Sequence, residues 1–167
     1  MIVSNSSPLI YLTKVKRLHL LKDLFREVLI PEEVKTEVVD KGKERGEMDA
    51  FMLEREVKAG WITVEKVTRM LDLKLDLHAG EKAAISLAKQ RNSKIVLMDE
   101  IAGRTAAKLA GVEPRGTIFV LLLALRQKKI TFNEFLDLLS QLAQEGFRLH
   151  EEVYTAAVKE AQRIAKR

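Results

Sequence analysis

The 167-residue chain contains no cysteine, which excludes a disulfide scaffold, thiolate-bound zinc or iron–sulfur clusters, and a cysteine nucleophile. Its three histidines, His19, His78 and His150, are scattered without metal-ligand spacing. The longest strongly apolar run, Ile118 to Leu125, falls far short of the roughly 20 residues a membrane helix requires. The first residues lack the basic-then-apolar layout of a signal peptide, so the expectation is a cytoplasmic protein with no membrane partner. Also missing are G-x-G-x-x-G after the first strand, G-x-x-x-x-G-K-[ST], and the G-x-S-x-G elbow. Dinucleotide binding, P-loop phosphate binding and serine hydrolysis therefore lose their usual markers. Oxygen chemistry remains.

What is present is ordinary for a folded domain: 47% apolar and 32% charged residues. Lys and Arg number 29 against 24 Asp and Glu, for a net charge of +5, and the balance is uneven along the chain. Residues 1–30 carry five basic and two acidic side chains, 84–120 six and three, but 31–83 ten and thirteen. An acidic middle flanked by positive segments suits a polyanion bound around a cation-loaded pocket, although a mixed solvated surface explains the same counts.

Apolar spacing predicts alternating strands and helices. Ile2 to Asn5 is a short strand, ended where Pro8 opens two short helices that break near Lys16-Arg17. Glu27 to Ile30 is a second strand. Pro31 opens a helix with Val34, Val38 and Val39 inward and Glu37 free to point elsewhere. A helix over 47–58 ends at Gly60, and Ile62 to Val67 alternates like a strand, while 68–79 reads as an irregular loop. A firm helix begins at Gly80-Glu81, and Ile95 to Met98 is an apolar run typical of a central parallel strand. A helix over 101–110, a very short strand at Val112-Glu113, a turn at Pro114 to Gly116, and helices over 118–128, 130–142 and 153–164 complete the pattern.

This order implies an α/β fold: a three-layer α/β/α sandwich around a mostly parallel sheet of about five strands. A single domain spans 1–167, its C-terminal helices 131–166 completing the core or forming a dimer surface. In such sheets ligands bind at the carboxyl ends of strands, which directs attention to Asn5, Glu37, Asp99-Glu100 and Thr117. Each has a plain alternative. Asp99 either caps the next helix or holds a metal, Glu100 is a first-turn dipole partner or a metal-site residue, and Glu81 carries the same ambiguity. Glu37 alone reads as a solvated helix residue. Asn5 and Thr117 read as turn and cap residues; what raises all of them is convergence at one edge, where a Mg²⁺ ion needs only a few oxygen ligands.

Five motifs, in this order and spacing, resemble the PIN domain, and within it the archaeal and bacterial VapC-like branch. They are Val3 to Ile10 (VSNSSPLI), Ile30-Pro31 with Val34 and Glu37, Ala79-Gly80-Glu81 with Ala84 and Ile85, Leu97-Met98-Asp99-Glu100 with Gly103-Arg104, and Gly116-Thr117. The resemblance implies a Mg²⁺- or Mn²⁺-dependent endoribonuclease, often the toxin of a toxin–antitoxin pair with a small antitoxin protein, and commonly a homodimer. By position it implies that Glu37, Glu81 and Asp99 are catalytic, that Asn5, Glu37 and Asp99 hold the metal, that Glu100 and Thr117 support it, and that Arg104 positions the RNA backbone. Asn5 and Thr117 stand where the family usually has acids. Fewer negative ligands hold a dication less strongly, which leaves a second expectation: a catalytically weak or inactive PIN-like module that binds RNA or a protein partner.

Overall fold

The computed structural model describes residues 1–167 and has a five-stranded, all-parallel sheet in the order β3-β2-β1-β4-β5. The strands are β1 (Ile2–Ser4), β2 (Val28–Pro31), β3 (Ile62–Glu65), β4 (Ile95–Leu97) and β5 (Glu113–Arg115). Between and after them run α1 (Ser6–Lys14), α2 (His19–Phe25), α3 (Glu32–Lys35), a π-helical turn π1 (Thr36–Lys41), α4 (Gly42–Glu44), α5 (Met48–Lys58), α6 (Ala79–Gln90), α7 (Ile101–Leu109), α8 (Thr117–Arg126), α9 (Phe132–Gln144) and α10 (Glu151–Ala165). Residues 66–78 form an irregular connection, as their mixed spacing implies.

The period of two along each strand sends alternate side chains to opposite faces, and this makes the layers. Ile2, Val28, Ile30 and Leu97 enter the larger core with α1, α2, α5, α8, α9 and α10. Val3, Leu29, Val96 and Met98 enter the smaller one, under α6 and α7. Phe135 of α9 is fully buried, and Ala157, Ala161 and Ile164 of α10 face inward, so the C-terminal helices contribute to the larger core.

Two elements differ from their sequence-based expectations. The fifth strand lies over Glu113–Arg115, not Val112-Glu113 with a turn from Pro114. The Glu113 N–H donates to the Lys94 carbonyl at 2.9 Å and the Arg115 carbonyl accepts from the Met98 N–H at 2.7 Å. Pro114, opposite Val96, lies on the sheet's outer edge strand, where its missing N–H breaks no ladder bond. The helix after Pro31 is also not uniformly α: it widens into π1 at the turn that contains Glu37.

The chain steps outward from β1 through β2 to β3, then returns to the other side of β1 with β4 and β5. The reversal between β1 and β4 is a topological switch point, and the crevice at its carboxyl edge is where such sheets take ligands.

Candidate active site

The residues that leave the strands at this edge are close-packed by local chemistry. Asn5 follows β1 directly, its N–H held by the Leu97 carbonyl of β4 at 2.9 Å. Its side chain is buried, and its Oδ1 has no hydrogen-bond partner. A buried unpaired acceptor is costly and calls for an explanation. A Cβ placed on Gly80, at the start of α6, would stand 3.1 Å from Glu37 Oε2 and 3.4 Å from Asn5 Oδ1. Glycine at this position lets both oxygens share one gap.

Two consecutive serines in the first turn of α1 reach two acids that lie far apart in sequence. Ser6 Oγ donates to Glu37 Oε2 at 2.7 Å, and Ser7 Oγ donates to Asp99 Oδ2 at 3.0 Å. Asp99 also receives the Thr117 backbone N–H on Oδ1 and the Thr117 hydroxyl on Oδ2, each at 2.7 Å. Thr117 is fully buried and Asp99 half-buried, so both of these bonds are partly sheltered from water. Burial pushes the Asp99 carboxyl pKa up. The Thr117 amide and hydroxyl, the Ser7 hydroxyl and the Arg104 charge all oppose that shift without cancelling it.

Gly116 is needed here for the same reason as Gly80, since a Cβ there would stand 2.7 Å from Asp99 Oδ1 and 3.4 Å from Arg104 Nη1. Arg104 Nη1 donates to the Met98 carbonyl at 3.0 Å, which fixes the guanidinium beside Asp99. Its fork has five N–H donors, so others remain for an anion.

Glu81 is buried, and its Oε2 accepts the His78 N–H at 2.9 Å, a helix-capping bond. Its Oε1 lies 3.3 Å from where a Gly103 Cβ would be, on the side of α7. Glu100 is exposed. The edge thus gathers Asn5 with Glu37 and Asp99 with Thr117 and Arg104, the two groups joined through Ser6-Ser7, while Glu81 is held at the start of α6. No three Asp, Glu or His side chains converge closely enough to hold a metal ion among them. The donor set therefore does not fit a cage of three carboxylates. It fits a hydrated Mg²⁺-type ion that takes one or two carboxylates, accepts a neutral oxygen such as Asn5 Oδ1, and keeps several waters.

Sequence reasoning missed Ser6 and Ser7 as acid-binding groups, because a serine beside a proline already has a sufficient role as a helix cap. The signal was two hydroxyls placed directly after the carboxyl end of β1. The glycines were visible next to Glu81 and Thr117, but not what they make room for.

The family model DUF3368, a PIN domain, matches residues 1–163. No curated protein and no solved structure matches the chain.

Proposed function

The chain belongs to the PIN-domain family, whose members are generally nucleases and usually use divalent metals, and from that premise we propose a metal-dependent endoribonuclease acting at the carboxyl edge of β1, β2, β4 and β5. The observation that carries this reading is the pair of serine bonds, Ser6 to Glu37 and Ser7 to Asp99, which ties acids from two distant segments to one helical turn beside the unpartnered Asn5 oxygen.

In this reading Asn5, Glu37 and Asp99 hold a Mg²⁺ or Mn²⁺ ion. When bound, such an ion lowers the pKa of water and neutralises phosphate charge. The chain's own groups do the rest. Arg104, fixed by the Met98 carbonyl, offers its remaining N–H groups to the RNA phosphate. Thr117 and Ser7 hold the Asp99 carboxylate in one orientation, so that little reorganisation is needed when charge develops. Glu81, anchored at Oε2, has Oε1 left to orient an attacking water.

The reading extends to a toxin role with a small antitoxin protein as partner, to a second copy of the chain, and to the cytoplasm. No helix is long and apolar enough to cross a membrane. Incubation of the purified protein with RNA in Mn²⁺ and in EDTA tests the activity. Products should form only with the ion and vanish in Asp99→Asn; cleavage unchanged in that variant refutes the assignment.

A second reading is favoured by a different observation: three hydrogen bonds already occupy Asp99, and no three acids converge. On that reading the module binds RNA or a protein without cutting. Absence of products at high Mn²⁺ with RNA binding retained supports it.

A further inference from the structure

Tyr11 lies one turn beyond Ser7 on α1, and so on the same side of the helix as the hydroxyl that binds Asp99. Its ring meets Phe147 edge to face, with centroids 5.0 Å apart and planes at 86°. Tyr11 Oη reaches the Gly146 carbonyl at a long 3.4 Å, which brings the loop after α9 back to the rim of the site. The inner parts of both rings pack against the larger core, yet both remain only half-buried, and the next residue, Arg148, is exposed. In an edge-to-face pair at most one face of one ring is covered by the other, which leaves aromatic surface for a third planar group.

The electrostatic setting is specific. Burial raises the Tyr11 phenol pKa, and the nearby Asp99 and Glu100 carboxylates raise it further, against Lys14 and Arg148. The phenol stays neutral, as a stacking surface for a polyanion must. Lys14 is committed to Asp49 and Glu145, at 3.6 and 4.0 Å, whereas Arg148 makes no ion pair and is available to a phosphate.

We propose that Tyr11 and Phe147, with Arg148 beside them, form a subsite that stacks one unpaired nucleobase of a strand whose adjoining phosphodiester lies at Asp99. The proposal rests on the nuclease reading and adds a base-stacking subsite to it; only an unpaired base can enter, since bases in a duplex are already stacked on one another. Stacking of this kind tolerates any base. Sequence selectivity is therefore not expected from this subsite.

Binding in EDTA, read by fluorescence anisotropy with a short labelled RNA, tests the subsite without cleavage. The arms are the single strand, the same strand annealed to its complement, a strand with abasic sites, and the equivalent DNA. The wild-type protein should bind the single strand about tenfold tighter than the duplex or the abasic strand, the loss expected for one stacked base. Tyr11→Leu should remove that difference, and Tyr11→Phe should keep it. Equal wild-type affinity for normal and abasic strands overturns the proposal, and this comparison needs no variant to fold. Unchanged discrimination in a folded Tyr11→Leu protein overturns it as well. DNA bound as well as RNA supports the stacking subsite. Loss of cleavage in Mn²⁺ with Tyr11-dependent binding intact would remove the nuclease reading alone, and cleavage with Tyr11-independent binding would remove the subsite alone.

Discussion

Asp99 accepts three hydrogen bonds and still has its pKa raised, because the cost of burying its charge exceeds what those donors return. A carboxyl whose folded pKa lies above its unfolded value binds its proton more tightly in the native state. Native stability therefore falls as pH rises from the ordinary aspartate value through the raised one, and returns on acidification. Asp99→Asn removes this titration. In EDTA the variant should gain on the wild type at neutral pH, and the difference in urea midpoint should shrink as pH is lowered toward the ordinary aspartate range. A difference that grows on acidification contradicts the assignment. The position of Asp99 after an apolar strand was legible in the sequence, but its environment was not. Ser7 lies 92 residues away and Thr117 18 away, and no local pattern encodes contacts of that range.

At the scale of elements, Gly116 joins β5 to α8 and leaves room for Asp99 Oδ1. Its φ of −102° is open to alanine, so Gly116→Ala acts through crowding and not through backbone strain. The new methyl should displace the carboxylate from the Thr117 N–H, cost about 1–3 kcal/mol, and lower any cleavage activity. Urea unfolding and an RNA assay on the same preparation check both effects. In the outer layer, Phe135→Ala should cost about 3–5 kcal/mol, because the ring is fully buried between α9 and its neighbours; a urea midpoint close to the wild type's would contradict this packing. The helices and central strands could be read from apolar spacing, as with Ile95 to Leu97 or the inward Ala84, Ile85, Leu87 and Ala88 of α6. The π turn could not, since Val34, Val38 and Val39 satisfy an α-helical stripe equally well. β5 was mislocated because Pro114 signals a turn unless its place on an edge strand is known.

At the scale of the molecule, the strand order creates the site. The reversal between β1 and β4 brings the segments that follow Ser4, Pro31, Leu97 and Arg115 to one edge, although they span most of the chain. That convergence was inferable from alternating strands and helices. Which oxygens would meet within it was not: Asn5 and Glu37 share the gap at Gly80, and Glu81, the next residue, has its Oε2 held by the His78 N–H. Direct titration with Mn²⁺, following the free ion by electron paramagnetic resonance, asks whether this edge is one cation site. A single weakly held ion is expected, with about tenfold weaker binding in both Glu37→Gln and Asp99→Asn and tighter binding in Asn5→Asp, where a carboxylate replaces the neutral amide. Binding that is the same in all four proteins would contradict it.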